Sequence, residues 1–262
     1  MAEEQGRRPE PGAGHPGIKA LPRSESCERM TQTEFGAIRT YVEQAMAGTD
    51  PVHDFQHVLR VLWNALDIGL EEKIDRDILI AACLLHDVGR PAEISDRSLC
   101  HAEVGSKMAH GFLLSLGWPE ARAAWVRDCI LTHRYRADRA PESMEAKLLF
   151  DADKLDVLGL IGVARTLQYG AMLGDEPLYR LDGMGQVQVG PKGEPSFFQE
   201  YDFKLRTVPE KLLTRRGREK ALILRAEGDR FYDALLTQLR DCLETGRNRL
   251  SALGLYTIEE NR

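Results

Sequence analysis

Histidines and carboxylates that could share an ion stand at three places in the chain. In Leu84-Leu85-His86-Asp87-Val88-Gly89, an imidazole and a carboxylate are adjacent at the end of a very apolar run. An aspartate in such surroundings is costly unless it is paired or holds a metal. Neighbours on a helix point about 100° apart. His86 and Asp87 therefore reach one ion only near a helix end, which Gly89 and Pro91 supply. In His53-Asp54-Phe55-Gln56-His57 the two histidines are four apart, a spacing that can put them on one helix face. Asp151-Ala152-Asp153-Lys154-Leu155-Asp156 sets carboxylates into another apolar pattern. Imidazole nitrogens together with carboxylate oxygens suit a divalent transition metal: Mn, Fe, Co, Ni or Zn.

Helices must carry these residues. Thr31 and Glu34 have the spacing of a capping box, and Phe35, Ile38, Val42 and Met46 then recur at helical period up to Gly48. A second helix starts near Pro51 and Asp54 and ends at Gly69. Asp75 caps a third, from Ile78 to about Asp87, apolar almost all round and so expected at the centre of the fold. A polar loop follows Gly89-Arg90-Pro91. Further helices are predicted over 101–116, from Pro119 to His133, from Ser143, from about Ile161 to Leu173, and over about 217–245. Trp63, Trp118 and Trp125 fall in these patterns and read as core. Residues 174–195 are rich in Gly and Pro and read as a long loop or insertion, with a short strand at most at Val187–Val189. The fold class is all-α.

Composition sets the outer limits. The 262 residues are 43% hydrophobic and 29% charged, an ordinary globular balance. The net charge of −6 gives no broad basic footprint for nucleic acid. Five cysteines with no CxxC spacing read as reduced thiols. No apolar run reaches the length of a membrane span, and the expected compartment is the cytoplasm. Gly and Pro supply 8 of the first 30 residues, so 1–30 is read as a disordered tail that contributes nothing to catalysis. Residues 31–250 form one domain, and 251–262 form a C-terminal tail.

His57, then His86-Asp87, then Asp153 resemble the H…HD…D signature of the HD-domain metal-dependent phosphohydrolase superfamily. The wider strings HDFQHVLRV, LLHDVGR, ILTHR and DADKLDVLGLIGVAR look like its stand-alone, nucleotide-hydrolase-like bacterial branch. The resemblance covers roughly residues 31–245. It implies an HD helical fold with a buried central helix pair holding the metal, and His57, His86, Asp87 and Asp153 as the ligands. Such an ion lowers the pKa of a water and polarises a phosphoryl group.

Some superfamily members bind a second metal through two more histidines between HD and the last Asp, and His101 and His133 fall in that interval. The short separation of His86 and His101 favours one ion, with His133 and His101 as proton donors or phosphate contacts. Asp54 is a candidate catalytic carboxylate whose alternative is a helix cap. Asp151 and Asp156 either orient ligands or form ordinary ion pairs. His53, Arg90, Arg134 and Lys154 are the candidates for gripping substrate; arginine offers a planar fork to phosphate, lysine a point charge. Arg136 and His110 read as surface or packing residues.

The expected activity is hydrolysis of a phosphoester or phosphoanhydride in a nucleotide or other small phosphorylated metabolite. The alternatives are a two-iron oxygenase, a chemistry that related folds host, and a non-catalytic nucleotide-binding protein. The expected partner is a phosphorylated small molecule, with no membrane and no extended nucleic-acid surface. A homodimer is compatible with the sequence, and 174–195 could form a lid or part of its interface.

Overall fold

A computed structural model of the chain describes residues 29–48, 52–134, 139–174 and 177–255. Most of the expected N-terminal tail, part of the C-terminal tail and Arg136 lie outside them. The chain folds into α1 (Gln32–Ala45), α2 (Phe55–Ile68), α3 (Arg76–Leu85), α4 (Arg90–Ser95), α5 (His101–Ser115), α6 (Glu120–Thr132), α7 (Met144–Leu155), α8 (Gly159–Leu173), α9 (Phe197–Phe203), a 3-10 turn (Leu205–Lys211) and α10 (Arg215–Ala252). The class is all-α; β pairing among the described residues is limited to isolated bridging positions, such as Leu181 with Val187.

The apolar run that ends in His86-Asp87 becomes the middle of the molecule. In α3, Ile78, Leu79 and Ala81 to Leu85 are all buried. With no polar face, the helix must be surrounded, and α1, α2, α6 and α7 pack round it. Side-chain caps fix where these helices begin. Thr31 accepts from the Glu34 N–H at 3.1 Å while Glu34 accepts from the Thr31 N–H at 2.8 Å. Asp54, Asp75 and Ser143 cap α2, α3 and α7. Each cap replaces a backbone partner that the first helical turn lacks.

A second apolar cluster lies towards the C-terminus. Phe197, Phe198, Tyr201 and Leu205 meet Val163, Val187, Tyr232 and Leu236 there. It fastens α9 and the segment 177–196 onto α8 and α10. Asp151 ties the two regions together: its carboxylate accepts from the N–H groups of Leu213 and Thr214 and from the Thr214 hydroxyl, at 2.8, 2.8 and 2.6 Å. Asp151 is thus engaged at the start of α10.

Three expectations need correction. The segment after Gly89 contains α4, because proline at the start of a helix costs it no hydrogen bond. The apolar and basic stretch at 197–213, for which the sequence reading names no element, contains α9 and the 3-10 turn, and α10 runs to Ala252 rather than to about 245. Trp63 is 58% exposed, unlike buried Trp118. No helix among the described residues is long and apolar enough to cross a membrane.

Candidate metal centre

Helix ends bring the chemistry together. His57 lies in the first turn of α2, and Asp54, the N-cap, accepts from its backbone N–H at 2.9 Å. His86 is the C-cap of α3, with Asp87 next. His101 opens α5, His133 caps the end of α6, and Asp153 comes from the last turn of α7. The four histidines and Asp87 are buried. Helix ends escape the 100° fan of side chains within a helix, so residues of five elements can converge.

They converge in two groups. His57, His86 and Asp153 form one; Asp87, His101 and His133 form the other, with ligand atoms in each within 4.8 Å of one another. Asp87 stands between them. Its Oδ2 lies 3.7 Å from His57 Nε2 and 3.5 Å from His86 Nε2. Its Oδ1 lies 3.4 Å from His101 Nε2 and 3.7 Å from His133 Nε2. His57 Nε2 is 3.5 Å from Asp153 Oδ1.

The opposite ring nitrogens show which tautomers are present. His86 Nδ1 is 2.8 Å from the Cys83 carbonyl, and His133 Nδ1 is 2.6 Å from the Ile130 carbonyl. A carbonyl only accepts, so both Nδ1 atoms carry a proton, and in the neutral imidazole this leaves the lone pair on Nε2. His57 Nδ1 donates to Asp156 at 2.7 Å and His101 Nδ1 to Glu93 at 2.5 Å. Each group thus has one carboxylate-backed and one carbonyl-backed histidine, the arrangement that orients a metal-binding imidazole.

Burial pushes His57, His101 and His133 below the usual histidine range, His133 to about 3, so they are neutral near pH 7. Burial works against ionising Asp87 and Asp153, but Arg90 beside Asp87 and Lys154 beside Asp153 hold both well below the carboxylate range. His101 Nε2 and His133 Nε2 face each other at 3.3 Å. With both protons on Nδ1, these are two lone pairs, which attract no hydrogen bond to each other and suit a shared cation. His57 Nε2, His86 Nε2 and Asp87 Oδ1 are buried with no hydrogen-bond partner among the described residues. Buried polar atoms without partners are uncommon. Neutral imidazoles at His57, His101 and His133, ionised Asp87 and Asp153, and the unpartnered Nε2 atoms of His57 and His86 fit a divalent transition metal in each group.

The expected ligands His57, His86, Asp87 and Asp153 are brought together. His101 and His133, expected as proton donors or phosphate contacts, lie against the same Asp87, with lone pairs rather than protons aimed at the centre. Asp54 serves as the helix cap. Arg90 Nε is 2.8 Å from Asp87 Oδ2, and Lys154 Nζ is 2.7 Å from Asp153 Oδ2. Arg134 is paired with Glu93 at 2.8 Å. His53 is half-buried, its ring 5.9 Å from that of His57 and 6.1 Å from Tyr169. His110 pairs with Glu120 at 3.0 Å, away from the centre.

Sequence reading missed Glu93, Arg60 and Arg165. Arg60 donates twice to Asp156, at 2.7 and 3.1 Å. Arg165 donates to Asp156 Oδ2 at 2.6 Å and to the Val52 carbonyl at 2.6 and 3.1 Å. It thereby pins the approach to α2 against the residue that orients His57. Gly89 has a packing role as well: a Cβ there would lie 2.2 Å from the His101 carbonyl oxygen and 2.5 Å from the Gly105 nitrogen. Only glycine lets the turn after Asp87 press against the start of α5.

Residues 54–158 match the HD domain family. The chain is 32% identical over 142 residues to the Bacillus subtilis protein YpgQ; the match spans 52% of this chain and 66% of that relative, just under two thirds. Among solved structures, a predicted HD superfamily hydrolase from an uncultured Thermotogales bacterium is 28% identical with a TM-score of 0.57, over 80% of this chain and 99% of that one. Bacillus subtilis YpgQ in complex with ADP is 25% identical with a TM-score of 0.61, over 79% of this chain and 95% of that one. The HD match runs from the cap of α2 to just beyond α7 and so contains all six residues of the two groups: residues 54–158 of this chain form an HD domain.

Proposed function

We propose that this chain is a metal-dependent phosphohydrolase acting on a nucleotide or a similar small phosphorylated metabolite. The observation that carries the reading is the pair of histidine and carboxylate groups on the two sides of Asp87, which suits two divalent ions rather than the one expected from spacing. Bound there, such ions would lower the pKa of a water and polarise a phosphoryl oxygen. The chain's own residues supply the rest. Asp156 and Glu93 hold His57 and His101 in the tautomer that leaves Nε2 free. Arg90 and Lys154 bring positive charge to the centre, where a phosphate needs it. His53 and Tyr169 sit beside His57, where they can contact the remainder of a substrate. The relative YpgQ, solved with ADP, supports a nucleotide as the ligand.

The test is a screen of nucleotides and sugar phosphates with Mn, Co, Ni, Zn and Fe, resolving released phosphate from pyrophosphate. Turnover of a nucleotide that is lost in Asp87→Ala is the expected result. Iron-dependent dioxygen uptake without phosphate release would replace this reading with the two-iron oxygenase. Tight nucleotide binding without turnover under any metal would favour a binding protein.

A further inference from the structure

We infer that Glu93 is the positioning residue of His101, and that the Asp87, His101 and His133 group holds the more easily exchanged of two ions. This rests on the metal reading above and extends it to an inequality between the groups.

The two carboxylates that back histidines have the same task and different support. Asp156 is 1% exposed as a side chain and is gripped by Arg60 and Arg165. Arg165 is itself buried and bonded to the Val52 carbonyl. Moving Asp156 away from His57 would break several buried charge-assisted bonds at once. Glu93 is 18% exposed, and its other oxygen holds only Arg134, which is 36% exposed. It also sits on α4, a six-residue helix with no buried residue. Parting α4 from the centre exposes little apolar surface, and segments of that kind open at low cost in free energy.

When Glu93 moves off, His101 Nδ1 loses the acceptor that fixes its ring. His57 has no comparable route to release. The pair Glu93–Arg134 also links the end of α6 to α4, so a change at Arg134 reaches His101 through a single carboxylate.

The experiment is Mn²⁺ titration of the full chain after chelator treatment, followed by calorimetry and electron paramagnetic resonance. A spin-coupled pair broadens the resolved hyperfine spectrum of an isolated ion. The wild type is expected to bind two ions of unequal affinity. Glu93→Ala should weaken the looser ion about ten- to hundredfold, leave the tighter one unchanged and restore the isolated-ion spectrum at low Mn²⁺. Glu93→Gln should recover much of the loss, because its amide oxygen still accepts from Nδ1–H. Arg134→Ala, which loosens Glu93 without touching His101, should shift the same ion and serves if Glu93→Ala folds poorly. The inference falls if the wild type binds one ion, if both affinities survive Glu93→Ala, or if both ions weaken alike. A wild type that binds no ion would overturn the metal reading itself, so the two failures are distinguishable.

Discussion

Asp156 Oδ2 lies 2.7 Å from His57 Nδ1, across 99 positions of sequence. Burial works against ionising Asp156, but the bonds from His57 and Arg60 keep its carboxyl below the usual range. The carboxylate therefore fixes the tautomer of His57 and pairs with two arginines. Asp156→Asn keeps the shape and removes the charge. Mn²⁺ affinity at the His57 group is expected to fall about ten- to hundredfold. Because Arg165 is buried and loses its partner, the metal-free protein should also lose about 3–5 kcal/mol. Calorimetric titration and urea denaturation measure the two effects separately, and full affinity in the variant would remove Asp156 from the support of His57.

Metal should stabilise the fold, because the proposed ligands come from α2, the turn after α3, α5, α6 and α7. An ion that binds only the folded chain adds about 2.7 kcal/mol when its free concentration is one hundred times Kd. Chelator should lower Tm, and Mn²⁺ should restore it. His57→Ala, His86→Ala, Asp87→Ala and Asp153→Ala should each blunt that response and abolish most activity. Asp87→Ala should have the largest effect, since its two oxygens face both groups. A Tm that ignores chelator while bound metal falls to zero would show that the ion binds the unfolded chain as well as the folded one.

The parts legible in the sequence had strong local signals. The buried α3, the capping box at Thr31 and the caps at Asp54 and Asp75 follow from neighbours a few residues away. The set His57, His86, Asp87 and Asp153, proposed as ligands, was legible as a set only through resemblance, and its members are close in space. The relationships that decide tautomers were hidden. Glu93 acts on His101 eight positions away, from a helix too short and too exposed to show any period. Arg60 meets Asp156 across 96 positions. Arg134 was legible as a cation near the site, but its pairing with Glu93 across 41 positions was not. Trp63 fits the helical pattern of α2, yet pattern alone could not show that its side of the helix is left uncovered.

Gly89 offers a test of how tightly the turn after Asp87 must pack. Its φ of −82° is open to any residue, so conformational strain is not the issue. An added Cβ would instead meet backbone atoms of His101 and Gly105, which cannot rotate away. Gly89→Ala should push α5 from the turn and cost about 1–3 kcal/mol, while separating Asp87 from His101. The expected signature is a lower midpoint in urea at unchanged m-value, with weaker binding of the looser ion. Wild-type stability in Gly89→Ala would mean that the two backbones part without cost.

The pH dependence of the metal-free protein should carry the mark of His133. Burial pushes this imidazole down to about 3 in the folded chain, against 6.5 unfolded. Between those values the unfolded chain binds the extra proton and the folded chain does not. Stability from this residue is therefore complete above pH 6.5 and is lost progressively as pH falls towards 3. The slope approaches about 1.4 kcal/mol per pH unit for one group. His57 and His101 are shifted in the same direction and steepen it further. His133→Asn cannot titrate, so its stability should fall less steeply from pH 6.5 to 5 than that of the wild type, whatever it loses in packing at pH 7. Urea denaturation at half-unit steps of pH, with chelator present throughout, gives both slopes. Identical slopes would mean that His133 takes up its proton in the fold as readily as in the unfolded chain, and the neutral, Nε2-directed imidazole on which the second group depends would be lost with it.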